Sequence, residues 1–223
     1  MDTQAVKAFE TFVNGQKILP PKAYDEEYFV GNWREDKNND YTLEKRREIE
    51  GKNPFLIKEV FKPEKVLDVG CGPGALMALL DEVGVYAEGV DFSEHSITLA
   101  PETVRDRIMI ANVSEMQTNE SEYDLVVCRE VMEHLTVRQV YNTVKRIVKA
   151  SKKYIYITTR FHPSPSTILD ITTEFDVDPT HITLMTKDML RAMFILEGCK
   201  TRHDLESQMD WLNKGRCLVM EKV

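Results

Sequence analysis

The sequence predicts a doubly wound α/β fold: a seven-stranded, mostly parallel sheet flanked by helices, with a helical extension in front. Three observations predict it. From Val66 onward, short apolar runs alternate with segments of helical composition, the pattern of a parallel sheet with right-handed crossovers. The first such run, Lys65-Val-Leu-Asp-Val69, passes directly into a glycine-rich turn, Gly70-Cys-Gly-Pro-Gly74, and then into the helix-forming Ala75-Leu-Met-Ala-Leu-Leu80. The apolar fraction of 42% is enough for a full core, yet no run approaches the ~18 apolar residues of a membrane helix.

The elements follow in order. Thr3 to Val13 has helical composition, with Ala5, Phe9, Phe12 and Val13 on one face. Gly15 to Lys22, containing Pro20-Pro21, reads as a linker. Tyr24, Tyr28, Phe29 and Trp33 make the next stretch too aromatic for a plain linker, and Asn32 to Asn39 is polar and loop-like. The aromatics either anchor the extension or form a lid over substrate, since sites favour mobile segments on a rigid scaffold. Tyr41 to Phe61 reads as a helix pair broken near Gly51-Lys-Asn-Pro54. We therefore divide the chain at 62/63, an extension before a sheet domain.

Strands are expected at Val66 to Val69, Val85 to Val90, Arg107 to Ala111, Asp124 to Cys128 and Tyr154 to Thr158, then at Lys200 to Ser207 and Cys217 to Lys222. Ser93 caps a short helix running to Ala100. Thr136-Val-Arg-Gln139 is a capping box for a long helix to about Ser151. Gly84 and Gly198 stand where helices should end. Arg160 to Thr180 is an insertion rich in Pro, Ser, Thr and Asp, and Thr186 to Glu197 is the last helix expected.

Charge and cysteines bound the function. The net charge is -8, from 29 basic and 37 acidic residues, which argues against a nucleic-acid substrate. The start, Met1-Asp-Thr-Gln4, lacks a signal-peptide pattern, so a cytoplasmic location is expected. Cys71, Cys128, Cys199 and Cys217 have no metal-ligand spacing and read as reduced thiols in or beside strands. No metal is expected.

The glycine turn predicts a nucleotide-type ligand, because glycines let backbone approach it closely. Gly70-x-Gly72-x-x-Ala75 also fits the relaxed dinucleotide fingerprint. Asp68 separates the two readings. Its carboxylate should face the loop, where it would repel a pyrophosphate. It would attract a sulfonium or ammonium by about 4 kcal/mol at about 4 Å in an effective dielectric of about 20. Asp91 follows Gly72 by 19 positions, where an acid can accept hydrogen bonds from ribose hydroxyls. A ribose, no phosphate and a positive charge describe S-adenosylmethionine.

Asp68-Val-Gly70-Cys-Gly72-Pro-Gly74, Gly89-Val-Asp91-Phe-Ser93, and Tyr123-Asp-Leu-Val-Val-Cys128 followed by Glu133-His134-Leu135 together resemble the class I S-adenosylmethionine-dependent methyltransferases, in the branch acting on small molecules such as sugars, quinone precursors and antibiotic intermediates. The resemblance runs from about Lys65 to Val223. It implies a Rossmann-like sheet whose last strand inserts antiparallel, and a small-molecule acceptor methylated on oxygen or nitrogen, with a sugar as the first guess. It implies no nucleic acid or membrane partner and leaves homodimerisation open.

By the same resemblance, Asp68, Gly70, Cys71 and Gly72 cradle the methionine part and Asp91 the ribose. Phe92, Asn112 and Val113 meet adenine, with Asn112 where aspartate is usual. Arg129 follows the fourth strand beside the sulfonium, and Arg46 can clamp the cofactor's carboxylate. Phe92 and Val113 could equally be core, and Arg46 could sit on a charged face paired with Glu44, Glu48 or Glu50. Glu133 and His134 match residues of resembling enzymes, where a histidine sometimes acts as base. His162 and His181 flank the insertion as further base candidates, and all four could instead be structural. Alternatives for the whole chain are a protein or RNA methyltransferase, a dinucleotide-dependent oxidoreductase, and a cofactor-binding subunit without chemistry of its own.

Overall fold

The computed structural model describes residues 3–31, 40–162, 178 and 180–223. The whole 32–39 loop, with Trp33, and most of the 160–180 insertion lie outside them. Seven strands form one sheet in the order β3-β2-β1-β4-β5-β7-β6. They are β1 (Lys65–Val69), β2 (Tyr86–Asp91), β3 (Ile108–Ile110), β4 (Tyr123–Arg129), β5 (Ser151–Thr158), β6 (Cys199–Thr201) and β7 (Cys217–Lys222). Strands β3 through β5 across the sheet pair parallel, and β7 runs antiparallel to both β5 and β6.

The strand order grows one way from β1 through β2 to β3 and the other way from β4 to β5. The switch point therefore lies between β1 and β4, and a crevice opens there beyond their carboxyl ends. Both faces of the sheet are covered, which explains the continuous apolar runs. On one face, helix α8 (Val137–Ala150) buries Val140, Val144, Ile147 and Val148, and α9 (Lys187–Leu196) buries Leu190 and Phe194. The capping box on α8 forms as expected, with Thr136 and Gln139 reciprocally bonded. On the other face lie Ile57 and Phe61 of α4 (Asn53–Phe61), with the apolar side of α5 (Ala75–Glu82). Helix α3 (Leu43–Glu50) packs on α5.

The strand expected at Lys200 to Ser207 is a correction. Only Cys199–Thr201 pairs with β7, and His203–Met209 is a helix, α10. Leu205 and Met209, four apart, both reach the core, and the Glu206 carboxylate accepts the Val219 N–H at 3.3 Å. That packing overrides the short polar-apolar alternation. Thr186 does cap α9, but α9 is not the last helix. A short helix at Glu102–Arg105, α7, precedes β3, with Pro101 before it and Val104 buried. Ser93 caps α6 (Glu94–Leu99) as expected.

The N-terminal segment comprises α1 (Thr3–Gly15), a 3-10 turn at Pro21–Ala23 and α2 (Glu26–Phe29). It is fastened to the rest of the chain rather than trailing. The Gln16 side chain donates to Ile182 O and Thr183 Oγ1 at 3.1 and 2.7 Å and accepts from Val137 N at 2.8 Å. Ser93 Oγ donates to Tyr24 O at 2.5 Å. Among the described residues no helix is long and apolar enough to cross a membrane.

Candidate active site

The glycine loop leaves β1 at the switch point. Gly70, Gly72 and Gly74 have φ of 74°, 51° and 76°. A Cβ at Gly70 would lie 2.2 Å from a Val131 methyl, so only glycine lets the turn after β4 close against the turn after β1. Asp91 holds the loop open for a ligand. Its Oδ2 accepts Gly72 N–H at 2.8 Å and its Oδ1 accepts Ser93 N–H at 2.9 Å. Burial raises the Asp91 pKa, and those N–H groups pull it back only in part.

Gly70, Cys71, Gly72, Asp91, Phe92, Asn112, Val113 and Arg129 all line one cavity of about 120 Å³. Its opposite wall is the N-terminal segment: Ile18, Leu19, Tyr24, Tyr28, Phe29, and Tyr41 beyond it. Ile18 and Leu19 fall in the stretch read as a linker. Their signal was weak: two apolar residues before a Pro-Pro pair. Tyr24, Tyr28 and Phe29 pack edge-to-face with one another and with Tyr41, and all four line the cavity.

Asp68 sits at the end of a smaller cavity of about 80 Å³, which shares Gly70, Cys71, Tyr41, Arg129 and Glu130 with the first. Burial pushes its carboxyl up to about 7, against the opposing pull of Arg129. Arg46 reaches the same end and stacks over Tyr41, 4.0 Å from the ring centre. It is bonded to Glu50 at 3.1 Å, and Arg129 bonds the other oxygen of the same carboxylate. Glu50, absent from the sequence-based site, thus ties two candidate cofactor residues together. Arg47 points elsewhere, to Glu82 on the surface.

Asn112 reaches the cavity with its amide oxygen already accepting from Ser114 N and Oγ, at 3.0 and 2.9 Å. That leaves its NH2 to offer a ligand, suited to a ring nitrogen of adenine and not to its exocyclic amine. Cys71 is half-buried in the cavity wall, and the other three cysteines are buried thiols.

A third cavity, about 520 Å³, adjoins the first. Tyr41, Arg129, Glu130 and His134 belong to both. Its far side holds Tyr156, Met209, Trp211 and Leu212, with Arg160, Lys214 and Arg216 at the edge. Residues 210–216 carried no motif, and nothing local marked them. Glu130 takes φ of 54° at the junction, and its N–H bonds Thr158 O at 2.7 Å. A non-glycine residue in that region is strained, which is common where a side chain must be aimed at a site.

The four base candidates separate. His134 borders both cavities, and His181 borders the larger one at a ring-centre distance of 4.6 Å from His134. Glu133 borders neither. It is 1% exposed, accepts from Thr159 Oγ1 at 2.7 Å, and burial drives its pKa far up. A carboxyl so placed supports the fold behind His134. His162 also borders neither cavity, and its N–H bonds Met185 O at 2.9 Å.

A family model described as a methyltransferase domain matches residues 41–203. The chain belongs to this methyltransferase-domain family. It is 38% identical over 94 residues to a ubiquinone biosynthesis O-methyltransferase of Hydrogenovibrio crunogenus, covering 37% of this chain and 39% of that protein. The chain spans between a third and a half of the length of the curated relatives it matches. A SAM-dependent methyltransferase from Archaeoglobus fulgidus superposes with a TM-score of 0.61 at 18% identity, over 79% of this chain and 94% of that one. Magnesium protoporphyrin IX methyltransferase from Synechocystis, solved with bound SAM, superposes with a TM-score of 0.60 at 15% identity, over 92% and 98%. At those identities the likeness is one of fold.

The residues present fit S-adenosylmethionine, the cofactor expected from the sequence. A glycine loop with no room for a Cβ at Gly70, a buried acid at the β2 end and a second buried acid in β1 suit a ligand with a ribose and a cationic group. Two outcomes are expected. Asp91→Ala should weaken S-adenosylmethionine binding by about 1.5–3 kcal/mol, the scale of hydrogen bonds to a charged group. Unchanged affinity by calorimetry, in a variant shown to be folded, would remove Asp91 from the ribose.

The second outcome is a pH dependence. Asp68 is held near 7 in the free protein, and a cation beside it favours its ionised form. Binding therefore releases a proton below about pH 7, and affinity should fall as pH drops through that value, by up to about tenfold per unit. Asp68→Asn should flatten the profile between about pH 5.5 and 7.5. A wild-type affinity independent of pH over that window would contradict it.

Proposed function

We propose that this chain transfers a methyl group from S-adenosylmethionine to a hydroxyl oxygen of a small aromatic acceptor. The observation that carries it is the shared wall: His134, Arg129 and Glu130 border both the cofactor cavity and the larger one. S-adenosylmethionine, when bound, supplies a methyl already activated by a sulfonium, so the protein's task is placement and proton removal. Placement alone can supply roughly 7–11 kcal/mol of barrier reduction. Tyr156, Trp211, Leu212 and Met209 give the larger cavity an apolar, aromatic side suited to a ring. His134 takes the hydroxyl proton as the oxygen becomes nucleophilic, a contribution of about 10²–10⁴-fold. The N-terminal aromatics keep water from the cofactor side.

The names of the relatives support oxygen over nitrogen and a phenol-type ring over a sugar. The charge of -8 supports a small molecule over nucleic acid. Transfer of labelled methyl to a panel of catechols, monophenols and sugars tests the reading. Turnover is expected with a hydroxyarene, and turnover with sugars alone would overturn it.

A further inference from the structure

We infer that Thr180 and Asp178 form a relay that fixes His134 as its Nδ1–H tautomer and presents Nε2 as the proton acceptor. The inference rests on the reading of His134 as the base. It comes from counting hydrogens. Thr180 Oγ1 donates to Asp178 Oδ1 at 2.6 Å. A hydroxyl has one hydrogen, so toward His134 Nδ1, 2.9 Å away, the same oxygen can only accept. The ring proton is then on Nδ1 and the basic lone pair on Nε2.

The relay is built rather than incidental. Asp178 is 4% exposed and Thr180 8%. Asp178 Oδ1 also accepts the Thr180 backbone N–H at 2.8 Å, so the same oxygen holds both the N–H and the hydroxyl of Thr180. His134 stands after β4 and Thr180 before α9, and the two backbones are bonded together. Glu133 O accepts Ile182 N and Thr183 N at 2.8 and 3.1 Å, and Gln16 clasps the same two residues. In such a buried site a hydrogen-bonded chain ending on a carboxylate orients an imidazole strongly.

Among the described residues, the groups around His134 include the edges of Tyr24 and Tyr28 at 5.7 and 6.4 Å, the His181 ring, and Glu133 on its own turn. The Tyr28 hydroxyl is also hydrogen-bonded to Thr180 Oγ1, and with the Thr180 hydrogen on Asp178 it does so as the donor. Burial raises the pKa of both tyrosines, which keeps them neutral. His181 Nε2 lies 3.6 Å from Asp178 Oδ2, so Asp178 faces both histidines. During the reaction the acceptor O–H bond breaks, its proton ends on Nε2, and His134 becomes imidazolium. Asp178 offsets that charge through Thr180. Thr180 and Asp178 are positioning residues and need not touch the acceptor.

Nitrogen-15 spectra of histidine-labelled protein read the tautomer directly. The expected wild-type result is His134 protonated on Nδ1. Thr180→Val should shift it toward Nε2–H and lower kcat about 10- to 100-fold, less than the about 10⁴ lost on removing a directly bonded orienting carboxylate. KM and cofactor affinity should change little, and Thr180→Ser should restore both tautomer and kcat. If Thr180→Val does not fold, Asp178→Asn is read the same way.

A wild-type Nε2–H tautomer, or one unchanged in Thr180→Val, overturns the relay even if His134→Ala is inactive. A shifted tautomer with full activity in His134→Ala overturns the base reading and leaves the relay standing. One donor atom from each of His134, Asp178 and His181 lies within 4.8 Å of the others. A stoichiometric divalent ion on the purified protein, whose chelation moves both histidine signals, would therefore also overturn the relay.

Discussion

His134→Ala is expected to lower kcat by about 10²–10⁴-fold while S-adenosylmethionine binding barely moves. His134 lines the cavity but makes no contact with the glycine loop or with the Asp91 carboxylate that pins it, the groups expected to hold the cofactor. Its removal should cost proton transfer and leave those contacts intact. Stopped assays for kcat and calorimetry for the cofactor separate the two. His162→Ala is the control, because its side chain borders neither cavity, and near-native kcat is expected of it. His181→Ala should fall between, through its contact with Asp178 and the edge of the His134 ring. Should His134→Ala keep native kcat from about pH 6 to 9, the range spanning ordinary histidine titration, the base is another group or none is needed. A joint loss of stability and cofactor affinity would instead mark His134 as a fold residue.

Much of the sheet was legible because its signals are local. The run ending in Asp68-Val-Gly70 announces a strand and a turn within six residues, and Thr136 to Gln139 announces a helix start within four. Asp91 was legible for the same reason, its spacing from Gly72 being set by one crossover. What escaped depends on pairs distant in sequence. Lys200 to Ser207 reads as a strand until Leu205 and Met209 find a core face made by other elements. Ile18 and Leu19 look like linker until the chain folds back over a cavity more than fifty residues away. Thr180 meets His134 across 46 residues, and Glu50 meets Arg129 across 79. No window on the sequence contains both partners of either bond. Arg46 illustrates the mixture: its pairing with Glu50 is an ordinary i,i+4 helix contact, but its burial beside Asp68 follows from the tertiary fold.

Glu50→Gln is expected to destabilise the fold by about 3–5 kcal/mol, the cost of breaking a buried ion pair from one side. Glu50 is the single carboxylate between two guanidiniums, Arg46 at 3.1 Å and Arg129 on its other oxygen. Side-chain exposures of 10% for Glu50, 16% for Arg46 and 20% for Arg129 leave little water to compensate. Burial alone would raise the Glu50 pKa, and the two arginines outweigh it, so the carboxyl is held below its ordinary 4.5. The sign of the pH dependence follows. A carboxyl with a depressed folded-state pKa contributes stability above its unfolded value, and that contribution is lost as pH falls through the folded value. The wild-type protein should therefore lose this part of its stability below about pH 4.5, and Glu50→Gln should not. Asp68 runs the other way: its ionisation costs stability as pH rises from the ordinary carboxylate range toward about 7. For these two groups the opposing slopes cancel near about pH 4, and urea midpoints across pH 3 to 8 for wild type and Glu50→Gln separate their contributions. Arg129 adds a functional consequence. It lines all three cavities, so freeing it from Glu50 should also weaken S-adenosylmethionine binding in whatever fraction remains folded. A Glu50→Gln variant with native midpoint and native cofactor affinity would show that the two arginines are held by water and not by this carboxylate.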